Sequence, residues 1–434
     1  MHRALIRLIQ KTYRMVDPHE GKTVMHNVFS LSGLQVVTYL FPIIVLPYLF
    51  RAVGAEKFGL ISFAQAFVQY FMILTDYGFS VSATKEISLC LEDRPRVCNV
   101  LSAVMTIKAI LALFGMLVLW LVITFVPRFK EDWMVYALSF GLVIGNSLFP
   151  GWFFQGSERM KYTAKLNIIG EFIYALGIFL LIRRPGDFLL VPAVASLAAI
   201  ITGILGQYIL FTRFDVSFQW PKPNDLMQQL QAGWNVFISV IAINSYTTTR
   251  IFAVGLLTNN TLTGFYSIAE KIANAAQTFP LSSFSQAIFP RLSKIFHKNK
   301  MKAYNIMEQV QLITIIISLL FLPLIFVLAP WIITLACGGQ YPAAILSLRL
   351  LLISVFFISS NAFRVQFLLV CGKTDVYSRI HVFMAAVGVP LIIIFISVFS
   401  YAGAALATAL IEGGVFTLTY FTVKNLKFSS TLQT

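Results

Sequence analysis

Charge is the first thing this sequence lacks. Only 12% of its 434 residues are Asp, Glu, Lys or Arg, about half the quarter usual in soluble domains, which excludes a chain wrapped in a water-exposed surface. Acid is scarcer than base, 18 against 33, for a formal charge of +15. Cysteine is sparse as well: Cys90, Cys98, Cys337 and Cys371 form no CxxC pair and have no histidine at ligand spacing, which excludes a disulfide scaffold and a zinc site. Five histidines are scattered, and HExxH, GxSxG, the Walker A loop and GxGxxG are all missing. No cofactor or metal is expected, and the chain is not expected to be an enzyme.

What is present is apolar residues, 58% of the chain, gathered into long runs. A helix needs about 20 apolar residues to span the hydrocarbon core. Helices are predicted at 27–50, 57–77, 100–125, 133–155, 164–182, 188–211, 232–257, 263–287, 306–328, 344–370, 376–399 and 402–422, so the fold class is an all-α integral membrane protein with twelve transmembrane helices. With the N-terminus inside, the predicted inner segments with their adjoining helix turns hold 22 of the 33 Lys and Arg, while the outer connectors with theirs hold only Arg51, Lys57, Arg128, Lys130, Arg183 and Arg184. This positive-inside excess places both termini in the cytoplasm. The basic balance reports topology, and no nucleic-acid partner is expected. The segment TRFDVSFQWPKPNDLMQQLQAG, with Pro221 and Pro223, divides the chain near its middle. The predicted organisation is a basic N-terminal segment (1–24), a first six-helix bundle (25–211), a cytoplasmic linker (212–231), a second bundle (232–423) and a tail (424–434).

Residues 34–84 read as a helical hairpin, its first arm bent by Pro42 and Pro47. On the second arm Ser62, Gln65, Gln69 and Asp76 follow at steps of three, four and seven, so they share one face that does not suit lipid. This hairpin recurs. Gly59-Leu-Ile-Ser62-Phe-Ala64-Gln65 aligns without gaps on Gly264-Phe-Tyr-Ser267-Ile-Ala269-Glu270 at an offset of 205, and Ser267, Glu270, Asn274 and Gln277 repeat the polar stripe. Two repeats of six helices share one orientation, related by a pseudo-two-fold along the membrane normal, and the bundles are expected to enclose a cavity.

Charges inside predicted helices are the candidate functional groups. Lys108 reads equally as a snorkelling side chain or a cavity cation. Arg250, beside Thr247-Thr248-Thr249, presents a planar fork suited to phosphate. Lys271 lies next to Glu270 on the second stripe, and Arg364 sits in the polar run SSNAFRVQ. Lys271, Arg250, Arg364 and Lys108 are the expected phosphate contacts, with Gln65, Gln69 and Asn274 for the sugar part of a cargo. A proton-coupled carrier needs a carboxylate that picks up and releases a proton. Glu270 is the first candidate for it, followed by Asp76, Glu171 and Glu412; packing of a neutral carboxyl is the alternative for Glu171 and Glu412.

The strings LQVVTYLFPIIVLPYLFRAVGAEKFGLISFAQAF, DYGFSVSATKEIS and GFYSIAEKIANAAQTFPLSSFSQAIFPRLSK resemble the Wzx-type O-antigen and polysaccharide-repeat flippases of the multidrug/oligosaccharidyl-lipid/polysaccharide exporter superfamily. The resemblance spans residues from about 25 to 423. It implies two six-helix bundles in a bacterial inner membrane and outward movement of an undecaprenyl-diphosphate-linked oligosaccharide, driven by an ion gradient. Membrane lipid and other assembly proteins, a polymerase or a chain-length regulator, are the implied partners. One rival is a multidrug cation antiporter of the same superfamily, against which the intramembrane cations argue. Another is a membrane polysaccharide polymerase or ligase, for which the short outer connectors offer no catalytic loop.

Overall fold

The computed structural model describes the backbone of residues 18–428, and the side chains of residues 41–278 and 292–426 apart from Pro42, Ile43, Lys294 and His297. Most of the basic N-terminal segment and the last residues of the tail therefore lie outside the described residues. Everything regular among those described is helical, and nine helices are long and apolar enough to cross a membrane. Leu113, Trp120, Val327 and Val398 are each 60–69% exposed on these helices. Large apolar side chains turned outward on internally hydrogen-bonded helices are what lipid as a solvent selects.

In chain order the longer helices are α1 (Pro18–Asp76), α2 (Ser82–Cys90), α3 (Arg94–Phe125), α4 (Met160–Leu181), α5 (Leu190–Arg213), α6 (Pro223–Leu257), α7 (Asn260–Lys298), α8 (Lys300–Cys337), α9 (Pro342–Ser359), α10 (Ala362–Val370) and α11 (Thr374–Phe428). Short helical pieces fill 127–156. The single helix predicted at 133–155 is interrupted there, because Phe140 and Pro150 each separate one piece from the next.

Two of the runs conceal a break. The backbone stays helical through Pro42 and Pro47, and α1 is broken instead at Gly54, at φ 79° and ψ 165°. Glycine has no Cβ to forbid that conformation. The last run, α11, breaks at Ser400, at φ 55°. A Cβ on Gly403 would lie 2.0 Å from the carbonyl oxygen of Phe395. Eight residues of straight helix span about 12 Å, so the chain doubles back at Ser400. Both breaks fall in the connectors expected between predicted helices.

The two halves share a core. The largest buried cluster joins Leu49, Phe50 and Ile61 to Tyr266, Ile333 and Leu348. At its centre α1 and α7 meet through glycine. A Cβ on Gly59 would lie 1.7 Å from the Asn260 carbonyl oxygen, and one on Gly264 would lie 2.1 Å from that of Ala55. Ala55 and Asn260, like Gly59 and Gly264, stand 205 apart in sequence. The contact is therefore reciprocal, each glycine meeting the backbone of the other helix.

Two arginines bind carbonyls near this crossing. Arg51 donates to Leu335 near the end of α8, and Arg128 donates to Gly255 and Leu256 near the end of α6. Carbonyls in the last turn have no intrahelical partner and carry the negative end of the helix dipole, which an arginine fork satisfies. Elsewhere the start of α6 leans on the first half, with Tyr77 stacked on Phe237 at 4.5 Å and Gln229 donating to Glu86 at 2.8 Å.

Candidate functional site

The polar stripe of the second half lines a cavity of about 450 Å³. α6 contributes Tyr246, Thr247 and Arg250, and α7 contributes Glu270, Asn274 and Gln277. The turn between α9 and α10 supplies Asn361, with Gln366 just beyond it, and α11 adds Tyr377, His381 and Glu412. Every lining residue lies between 246 and 415, so this cavity belongs to the second half alone. Asn274, Glu270 and Gln277 reach it together because they are one helical face. Ser267, on the same stripe, is fully buried instead.

Helix 344–370 was predicted as one element, and its interruption at Ser360–Asn361 is what carries Asn361 to the cavity wall. A broken helix inside a membrane leaves backbone groups that must find other partners. Gln311 of α8, fully buried, meets both sides of the break: its Nε2 donates to the Ser359 carbonyl at 3.2 Å, and its Oε1 accepts from the Phe363 N–H at 3.1 Å. Arg364 adds a third brace, donating to the Ser360 carbonyl at 3.1 Å. Its guanidinium also lies over the rings of Phe416 and Tyr420, at 5.3 and 5.0 Å.

The expected cation sites are mostly ion pairs. Arg250 meets Glu270 at 3.2 Å, with the two side chains 12% and 6% exposed. Lys108 meets Asp76 at 3.6 Å in the first half, where Ser80 also donates to Asp76 at 2.9 Å. Arg364 meets Glu308 at 3.8 Å. A buried cation that keeps a carboxylate beside it is neutralised as a pair. Lys271 differs: it is exposed, with no ion pair among the described residues. Arg349, also inside a predicted helix, lies over Phe326 and donates to its carbonyl.

Gln65 and Gln69 are half-buried on the second arm of α1, beside Tyr70, whose hydroxyl bonds Thr249 at 2.7 Å. Glu171 is half-buried on α4 with no ion pair among the described residues. The sequence reading missed Gln311, Tyr246, Tyr377 and His381. Tyr246 and His381 share a hydrogen bond of 2.9 Å with their rings parallel, and Tyr377 meets the His381 ring edge-on at 4.4 Å. Only a map of which helices adjoin would have singled them out, since a Tyr or His on an apolar helix ordinarily signals packing.

No group of three or more His, Cys, Asp or Glu with metal-binding geometry occurs among the described residues. Cys90 is 4% exposed and burial pushes its thiol up, away from the reactive thiolate.

An Escherichia coli (strain K12) protein named "Putative O-antigen transporter" is 26% identical over 406 residues, which are 93% of this chain and 98% of that protein. Among solved structures, an inward-facing MATE-family multidrug resistance transporter of the MOP superfamily superposes with a TM-score of 0.73 at 14% identity, covering 91% of this chain and 99% of the other. The lipid II flippase MurJ in an inward closed conformation follows at 0.69 and 13% identity, covering 90% and 87%. These likenesses show that the fold is the one shared by MATE transporters and MurJ. The family model described as "Polysaccharide biosynthesis protein" matches residues 24–296. The chain belongs to that polysaccharide biosynthesis protein family, in keeping with its resemblance to the Wzx-type flippases, and is a multi-pass membrane transporter rather than an enzyme.

Proposed function

We propose that the protein is a flippase that moves undecaprenyl-diphosphate-linked oligosaccharide repeat units from the cytoplasmic to the outer leaflet of a bacterial inner membrane. The observation that carries this reading is a polar, ion-paired cavity held inside the membrane fold of a polysaccharide biosynthesis family. Intramembrane polar groups are costly and persist where they meet a polar cargo. In this reading both termini are cytoplasmic and twelve crossings form two six-helix bundles, which rock about the α1–α7 crossing to expose the cargo to each side in turn. The reciprocal Gly59 and Gly264 contacts support the pseudo-two-fold, and the breaks at Gly54 and Ser400 support counting α1 and α11 as two crossings each. The linker at 212–231 separates the bundles. A polymerase and a chain-length regulator are its partners downstream.

The charges distribute the work. A diphosphate cannot enter hydrocarbon without compensating cations. Lys271, exposed on α7 next in sequence to the wall residue Glu270, is its first contact. Arg364 and Lys108 reach phosphate by exchanging a carboxylate partner, Arg250 stays with Glu270 on the cavity wall, and a proton taken up by Glu270, Asp76, Glu171 or Glu412 couples transport to an ion gradient. Gln65, Gln69 and Asn274 bind sugar hydroxyls.

Glu412, on the cavity wall with no ion pair among the described residues, favours one second reading. Together with Tyr246 and Tyr377 it is what a lipophilic cation would use in a multidrug antiporter. Cells lacking the gene decide between them. The flippase reading requires complete lipid-linked repeat units to accumulate while surface polymer disappears, with rescue by the native chain and failure of Lys271→Ala at equal membrane levels. Unchanged surface polymer with new sensitivity to lipophilic cations establishes the antiporter.

A further inference from the structure

We infer that the second-half cavity is a saccharide subsite, which takes the neutral sugar portion of the cargo while the diphosphate stays outside at Lys271. The inference rests on the flippase reading and deepens it. Charge argues first. The wall holds one guanidinium, Arg250, already engaged by Glu270 at 3.2 Å, and a second carboxylate, Glu412. A diphosphate placed there would face more acid than base, and that excess of like charge repels it. A neutral polyhydroxylated ligand meets no such opposition.

Size and chemistry argue next. A space of about 450 Å³ is far larger than a bare cation needs and falls in the range of small-molecule sites. Asn274, Gln277, Asn361 and Gln366 bring four side-chain amides to it from α7, α10 and the turn before α10. Each amide carries both donors and an acceptor, matching the paired donor and acceptor character of vicinal hydroxyls. The parallel Tyr246 and His381 rings and the edge-on Tyr377 provide apolar faces against which a sugar ring packs.

One atom points to a ligand directly. Asn361 is 4% exposed, and its Oδ1 has no hydrogen-bond partner among the described residues. A buried acceptor left unmet is costly and calls for an explanation. It stands at the break between α9 and α10, which Gln311 and Arg364 brace from behind, so the wall is held open by groups that the ligand does not have to supply.

The test uses the full chain in phosphatidylethanolamine/phosphatidylglycerol nanodiscs and three probes: undecaprenyl diphosphate, the saccharide-bearing undecaprenyl diphosphate extracted from cells lacking the gene, and tetraphenylphosphonium. The wild type is expected to bind the saccharide-bearing lipid about tenfold more tightly than the bare one, the gain from one or two net hydrogen bonds. Asn361→Ala and Gln277→Ala are expected to shrink that ratio to under about threefold while leaving the bare lipid's affinity unchanged. The unchanged affinity also certifies folding, and Gln277 lies on a continuous helix away from the break. If the wild type shows no preference, or the preference survives in both variants, the subsite is overturned and the flippase reading stands. If neither lipid binds and tetraphenylphosphonium does, in a manner lost in Glu412→Gln, the flippase reading falls with it.

Discussion

Breaking the Arg250–Glu270 pair from either side should destabilise the protein far more than removing both partners. The two side chains are 12% and 6% exposed and 3.2 Å apart. In that setting each charge is tolerable only because the other is present, and removing one partner of a buried pair costs about 3–5 kcal/mol. Arg250→Met leaves the Glu270 carboxylate buried alone; Glu270→Gln leaves the guanidinium with its Thr247 carbonyl contact and little else. The double variant buries no net charge, and apolar or neutral replacements of a buried pair are often close to neutral. Reversible unfolding in mixed micelles, run as a double-mutant cycle, should give a coupling at least as large as either single loss, about 3 kcal/mol or more. Additive losses, with the double variant about twice as far down as either single one, would refute the claim that the pair is a closed electrostatic unit in the resting protein.

Three further outcomes follow from the packing. Gln311→Ala strips two backbone groups of their partner inside the membrane, at about 1–3 kcal/mol each, and should lower the thermal midpoint in detergent, an unchanged midpoint showing that the break does not depend on Gln311. Gly59→Leu and Gly264→Leu each push a side chain into opposing backbone at 1.7 and 2.1 Å and should reduce the yield of monodisperse protein, whereas Gly186→Leu, with nothing within 4 Å of its Cβ, should not. The Arg51→Ala/Arg128→Ala double variant frees the last carbonyls of α8 and α6, so on the proposed outer side it should lengthen spin-label distances between cysteines placed at Glu56 and Thr258. Unchanged distances would mean that these arginines do not hold the halves together.

The sequence by itself determined the class: long apolar runs with few charges leave helices as the only way to satisfy the backbone in lipid. It also marked the α1–α7 relation, because Gly59 and Gly264 carry the same local pattern at an offset of 205. Periodicity further placed Glu270, Asn274 and Gln277 on one face, and that face does line a cavity. What only the tertiary structure decided is which charges are already spent on each other. Arg250 with Glu270, Lys108 with Asp76 and Arg364 with Glu308 join residues 20 to 56 positions apart, and no helical period links groups on different helices. The same holds for the break at Ser360–Asn361, whose residues look helical until Gln311 supplies from another helix the partners that make unwinding affordable. Local pattern sets each helix's faces; the identity of the neighbour each face meets comes only from how the helices pack.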